Sequence, residues 1–479
     1  MNKGSQHSHQ SLKHLAIVIF LMFYFAFSSG AQKVKLLYFG WDYPSAVELE
    51  KNISTMQDKP FDGICFSLQS DPIESFDVDN KSKDYFCYEK LEKVKWGRFT
   101  DNYIFMRGMS KTGGSWLDDK AWDAITKNME GISKVLKLED VKGILFDPEY
   151  YYPDNLKNPW TYSKEQYPNY SFKKMQNIVR KRGRQFIEAL QKETNNFSIL
   201  SIWMASLAAT ETASMPLEKS KHALLLSFME GILLYKHKEV TIIDGNETAY
   251  WYSTPSQFLE TQEKLQSKTK EMMSTKKAKM LVPNIQISQP VFYNGIMASS
   301  KEYDRGFENN VKWNWLEENM KLAIASSTSK LVWVYFEERN FWKQKLNDTL
   351  NFILTNPFME LSTPAQSRVK QKENNLTESK LSNFNSGLGV NYILKPGYPS
   401  VQGNIAFDCE WNSQSGLLKI IFKNELPVSL SIFLNGEMIL KQVISQTKVE
   451  LMLKKYSTGV LTVLAKYKDG KQAYSSYYK

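Results

Sequence analysis

Asp147 and Glu149 stand two apart at the end of the apolar run "GILFD", joined by Pro148 and followed by Tyr150, Tyr151 and Tyr152. Two carboxyls held that close cannot both ionise easily, and the tyrosines around them thin the solvent. One is therefore expected to keep its proton near neutral pH. A proton kept on a pocket carboxyl is what a general acid needs to protonate a leaving oxygen. Positions two apart in an extended segment face the same way, and a proline keeps the residue before it extended. An N-cap aspartate beside a solvent-facing glutamate writes the same letters; the place of this pair, directly after an apolar strand, favours chemistry.

Two more stretches carry acids in the same setting. "IIDGNETAYWY" offers Asp244 and Glu247, then Tyr250, Trp251 and Tyr252, while "VWVYFEERNFW" offers Trp333, Tyr335 and Glu337. An acidic first helical turn explains Glu338 better than Glu337. Trp41 and Asp42 stand at the end of the first apolar run, Arg107 at that of the third, Trp203 at that of the fifth, and Asn284 with Gln286 at that of the seventh. Together with Tyr150, Tyr252, Trp333 and Tyr335 these form the expected binding set. Any one of the tryptophans is equally a core residue, but gathered beside acids they suit a sugar. A ring stacks on the apolar face of a pyranose while carboxylates bind its hydroxyls.

Composition narrows the chemistry. Of five histidines, His7, His9 and His14 fall in the first 31 residues, leaving His222 and His237 in a helix-like stretch. A Ser-His-Asp site or a multi-histidine zinc site is thereby disfavoured, and no cofactor is expected. An acid-only magnesium or calcium site at Asp147, Asp244 and Glu247 stays open. Cys65, Cys87 and Cys409 are too few for a disulfide framework; Cys65 and Cys87 are near enough in sequence to pair, and Cys65 also reads as core.

The elements that must position these residues recur about eight times. The apolar runs are 34–40, 61–68, 102–109, 141–147, 197–205, 239–245, 279–288 and 331–337, with amphipathic stretches between them. Near-continuous apolar strands alternating with helices predict a (β/α)8 TIM barrel over residues 32–361, with the candidates at its C-terminal mouth. A doubly wound sheet is the alternative, weakened because "YFGWDYP" lacks a glycine-rich phosphate turn. Residues 362–385 read as a polar linker, and 386–479 as short alternating strands of a small immunoglobulin-like β-sandwich. At the start, Lys3 and Lys13 precede the apolar run Leu15 to Phe27, and small residues Ser29 and Ala31 follow. That predicts a signal peptide over 1–31 and an exported protein, periplasmic or at the cell surface, with no membrane span after cleavage. Cleavage takes the net charge from +10 to +8, a mild excess with no dense basic run, which disfavours nucleic acid.

"VKGILFDPEY" resembles the fourth-strand signature of glycoside hydrolase family 18 and related barrels, in which an apolar strand ends D-x-E. The resemblance implies Glu149 as acid/base and Asp147 as the neighbour that orients it, and sets Asp244 and Trp333 where such enzymes place a polar partner and a pocket-floor tryptophan. Leu145 occupies the position of that family's earlier aspartate, and the sixth strand reads "TIID". The partner of Glu149 stays open among Glu337, Asp244 and Glu247. The expected function is hydrolysis of O-glycosidic bonds in a poly- or oligosaccharide. The alternative is a glycan-binding surface protein that keeps the barrel without turnover.

Overall fold

The computed structural model describes residues 34–110, 115–152, 158–297, 309–355, 390–395, 398–401, 407–412, 415–423, 425–453, 459–470 and 472–478. The expected leader (1–31) and linker (362–385) lie outside them. Ten short strands build the first unit: β1 Lys35–Gly40, β2 Gly63–Phe66, β3 Ile73–Glu74, β4 Asn102–Arg107, β5 Val141–Asp147, β6 Ser198–Ser201, β7 Thr241–Asp244, β8 Ile285–Ile287, β9 Pro290–Phe292 and β10 Leu331–Phe336. Their order is β8-β7-β6-β5-β4-β2-β1-β10-β9, with β3 against β4, and every ladder is parallel.

β8 pairs with β7 and β9 with β10, and only Ser288 and Gln289 separate the two. They are halves of one stave, so the sheet closes as an eight-stave (β/α)8 barrel. Across the break the Ser288 N–H donates to the Asp244 carbonyl (3.0 Å) and the Ser329 N–H to that of Ile287 (3.1 Å). The seventh expected strand therefore begins late. Thr275 caps a helix over Lys276–Leu281, and a 3₁₀ turn around Pro283 follows, so "KMLVPN" is not strand.

Strand alternation sorts side chains into two layers. Leu37, Phe39, Cys65, Phe105, Leu145, Leu200, Ile243 and Trp333 fill the barrel interior. Leu36, Ile64, Ile104, Phe146, Ile199, Ile242 and Val334 point outward into the larger core beneath the helices. Those helices start where the sequence writes caps: Ser45 and Glu48 form a capping box at Ala46–Met56, and Asp118 and Ser171 cap Asp119–Leu136 and Phe172–Leu190. The helix-like stretch around the two remaining histidines is a helix over Leu225–Tyr235, apolar nearly all round; His222 precedes it and His237 follows it. Cys65, Cys87 and Cys409 are all free and buried, so Cys65 and Cys87 do not pair.

The C-terminal unit is an antiparallel sandwich of a six-stranded and a three-stranded sheet. Its own core joins Phe407, Cys409, Leu418 and Ile420 to Leu430, Ile432, Leu461 and Val463. The opposite face of the larger sheet gives Phe433, Val460, Leu464 and Tyr474 to the barrel's core. Lys466 Nζ reaches Glu260 Oε1 at 2.6 Å, the Ser256 N–H donates to Gln472 Oε1 at 3.0 Å, and the Tyr474 hydroxyl bonds Glu318. The sandwich is thus packed on the barrel's outer helices. No helix among the described residues is long and apolar enough to cross a membrane.

Candidate functional site

β5 delivers its acids inward. Leu145 belongs to the interior layer, so Asp147, two residues on, emerges at the C-terminal mouth, 1% exposed. The chain then turns instead of staying extended. The Glu149 N–H donates to Asp147 Oδ1 (2.9 Å), an Asx-type turn that folds the glutamate back over the aspartate. The Tyr151 hydroxyl lies 2.9 Å from Asp147 Oδ2 and 2.5 Å from Glu149 Oε2, bridging the two. Arg107, inward from the end of β4, sets its guanidinium 5.2 Å from the Tyr151 ring centroid and 5.8 Å from that of Phe105. Its Nε is buried without a hydrogen-bond partner. The loop is pinned at its far side by the Tyr152 hydroxyl on Glu74, whose strand β3 pairs Glu74 with Arg107.

Glu247 joins this pair from two staves away. After β7, Asn246 takes a left-handed conformation (φ 44°), which asparagine adopts at less cost than most residues, and its amide is tied to Gln289 Oε1 at 2.8 Å. Glu247 follows with Oε2 buried and no hydrogen-bond partner. Burial, then the charges of Asp147 and Glu149, hold its carboxyl well above the ordinary range. Asp147 is pushed up to about 7, chiefly by burial; the Glu149 charge adds to this, while the Glu149 N–H, Tyr151 and Arg107 oppose it. The expectation of a carboxyl kept protonated near neutrality thus has a physical cause here.

Asp244 takes another course. Ile243 faces the interior and Ile242 the outer core, so Asp244 shares the outward face. Its Oδ2 accepts the Ser206 N–H (2.9 Å), and Oδ1 accepts the Ser206 hydroxyl (2.7 Å) and the Asn246 N–H (2.9 Å). It therefore secures the start of the helix Ala205–Glu211 and does not reach the mouth, so a metal site shared by Asp147, Asp244 and Glu247 is not formed. Among the described residues no group of three or more His, Cys, Asp and Glu is arranged to hold a metal.

The remaining candidates divide. Trp333 is fully buried in the interior, its indole N–H donating to the Gly245 carbonyl at 3.0 Å, and it underlies a floor of Phe39, Tyr250, Phe292 and Tyr335. Tyr335 stacks on Tyr250, centroids 5.8 Å apart, and Glu337 continues that inward face with its N–H on Asn294 Oδ1 (2.9 Å). Trp203 is half-buried against His222 at 5.1 Å, and that ring is held by Glu211 at 2.8 Å. Trp41 stays 40% exposed beyond β1 and Trp251 54% exposed beyond β7, while Tyr150 packs edge-on to Tyr152.

Three expectations fail on geometry. Asp42 is spent on Trp342, accepting its backbone N–H at 3.0 Å while the Asp42 carbonyl accepts the indole N–H at 2.8 Å. Tyr252 packs outside the barrel against Phe258, its hydroxyl near Asn246. Asn284 precedes β8 and so lies at the opposite, N-terminal end, lining a cavity of about 630 Å³ with Lys236, Gln262 and Glu437. Sequence reasoning missed Tyr151, Asn294 and Glu74. Tyr151 was visible among the three tyrosines, but nothing in its spacing revealed the turn that aims its hydroxyl at both acids.

No protein-family model matches the chain, and no curated protein matches it. Similar solved structures include a calcium-binding mutant of Bacteroides uniformis beta-glucuronidase 2, at 11% identity and TM-score 0.36, covering 93% of this chain and 45% of that one. A GH18 chitinase from Pseudoalteromonas aurantia matches at 10% identity and TM-score 0.32, covering 64% and 94%. A GH31 alpha-xylosidase from Xanthomonas citri matches at 10% and 0.38, covering 93% and 47%. The chain thus spans less than half the length of the first of these proteins. They come from different glycoside hydrolase families and do not single out family 18; at these scores the likeness adds nothing to what the ladders establish.

Proposed function

We propose that this protein is an exported glycoside hydrolase that cleaves O-glycosidic bonds of a poly- or oligosaccharide by carboxylate acid/base catalysis at the barrel mouth. The observation that carries this reading is the convergence of Asp147, Glu149 and Glu247 in one half-buried cluster, with the Tyr151 hydroxyl between the first two. Glu149, more exposed than Asp147, meets the glycosidic oxygen as general acid, and Asp147 beneath it holds the turn and shares its proton. Glu247 is the second carboxylate, acting on the sugar from across the cleft; its buried oxygen without a partner supports this, and Asp244 is already committed elsewhere. The exposed rings of Trp41 and Trp251 supply stacking faces at the rim. The charged and apolar N-terminal run supports export to the periplasm or cell surface.

The test is hydrolysis of a panel of soluble polysaccharides and oligosaccharides with new reducing ends counted, the protein run beside Glu149→Gln. Release that disappears in the variant supports the reading, and the anomer first formed then tells a nucleophilic Glu247 from one that activates water. Equal binding of one glycan by both proteins, with no cleavage by either, replaces it with a binding protein.

A further inference from the structure

The bridging phenol carries a consequence in proton count. A tyrosine hydroxyl has one proton, yet Tyr151 Oη is within hydrogen-bond distance of Asp147 Oδ2 (2.9 Å) and Glu149 Oε2 (2.5 Å). One proton serves one of these contacts. The other is a hydrogen bond only if the carboxyl itself donates, so the three-oxygen chain holds two protons and one net charge. The ring is clamped for the purpose by the Arg107 guanidinium 5.2 Å from its centroid, while 42% of the residue stays exposed toward the open mouth.

The geometry points to Tyr151 as the positioning residue that passes a proton between Asp147 and Glu149, so that the buried aspartate recharges the glutamate after each protonation of a leaving oxygen. The role rests on the reading of Glu149 as general acid. When the Glu149 carboxylate regains its proton, the Tyr151 O–H bond breaks as the Glu149 O–H forms. The Asp147 O–H then breaks as the Tyr151 O–H re-forms. Tyr151 ends as it began, and the negative charge has moved from Glu149 to Asp147, where the Glu149 N–H and Arg107 receive it. The other groups facing the chain are Glu247, whose carboxyl is raised by burial and then by the charges of both acids, Tyr250, and the buried Cys65 thiol beside Asp147.

The first measurement needs no substrate. With ¹³C in the side-chain carboxyls of Asp and Glu, the Glu149 titration is followed by NMR in the parent and in Asp147→Asn, then in each again with Tyr151→Phe. The relay predicts that Asp147→Asn moves the Glu149 midpoint at least threefold less, as a change in its acid constant, once the hydroxyl is gone; an undiminished effect overturns it. Should Tyr151→Phe fail to fold, a fluorinated tyrosine at 151, which keeps the hydroxyl and lowers its basicity, must move both midpoints, and unmoved midpoints overturn the relay equally. The second measurement uses the polysaccharide of the panel that the protein cleaves. Tyr151→Phe should lower kcat at least tenfold with KM within twofold and displace the alkaline limb of the kcat profile; an unchanged profile beside a silent Glu149→Gln sinks the relay alone. An active Glu149→Gln retires Glu149 as the general acid, and the titration then decides the relay by itself.

Discussion

Asp147 and Asp244 end staves two apart, are each 1% exposed, and each accept the N–H of the residue two positions on at 2.9 Å. They differ by one step of alternation. Leu145, Leu200 and Ile243 lie in register on the inner face, so Asp147 continues that face and Asp244 does not. The second oxygen of Asp147 meets Tyr151 beside Glu149, whereas that of Asp244 is capped by the Ser206 N–H. Burial and local hydrogen bonding therefore do not tell which acid faces the mouth of this barrel. The decisive quantity is the parity of the last strand residue, because it selects between the shared mouth and the helix layer.

The contrast is broken most sharply by making the same change at both positions. Asp147→Asn should lower turnover on the panel substrate by about 10²–10⁴, the range for a group in acid/base chemistry, and leave the fold intact. Asp244→Asn should leave turnover per folded molecule near the parent value while costing about 1–3 kcal/mol of stability, since an amide cannot satisfy all three donors. Steady-state rates set beside urea unfolding separate the two. A silent but fully stable Asp244→Asn would show that the parity assignment is wrong.

Glu247 sharpens the same comparison, because it restores to the mouth the carboxyl that Asp244 withholds. Glu247→Gln should cost about 10²-fold or more in kcat. It should also gain stability on the parent as pH rises from about 4 to about 8, because a carboxyl raised by burial loses its stabilising contribution over that climb, with the advantage vanishing near pH 4. Denaturant midpoints at the two pH values check this directly.

Stability against pH gives a third test. A carboxyl whose folded pKa is raised stabilises the native state fully below its unfolded value, and that contribution is lost as pH climbs to the folded one. For Asp147 the window runs from about 4 to about 7. Three units correspond to a change on the order of 4 kcal/mol. Relative to the parent, Asp147→Asn should thus gain stability across pH 4 to 7 and hold that gain above it. A flat difference between the two unfolding curves would contradict the raised carboxyl.

Much of this was legible in the sequence, for reasons that also explain the failures. Strands buried on both faces read as continuous apolar runs, so the barrel and the acids at the end of β5 stood out. Where a helix is equally apolar the reading slipped: "KMLVPN" was joined to the seventh strand, which carried Asn284 from the bottom of the barrel to the top. Polar Ser288 and Gln289 before Pro290 read as the end of the strand, so the apolar letters that resume at Pro290 are not joined to it, and Asn294 is lost from the true end of that stave. Asp244 and Glu247 could not be told apart, since parity is set by pairing with neighbouring strands rather than by the letters of one segment. Tyr151 escaped because a turn, not alternation, aims it.

The smallest effect isolates the scaffold side of the pair. Ser206→Ala removes one hydroxyl donor, 2.7 Å from Asp244 Oδ1, and leaves the Ser206 and Asn246 N–H groups in place. An acceptor that keeps two of three donors should lose about 1 kcal/mol. In a chain of this size that lowers Tm by no more than about 2 °C. Turnover and its pH profile should not move, whereas removing the corresponding hydroxyl from Asp147, in Tyr151→Phe, should move both with little change in Tm. If Ser206→Ala alters the pH profile, then Asp244 senses the mouth after all, and one step of strand alternation does not separate scaffold from chemistry here.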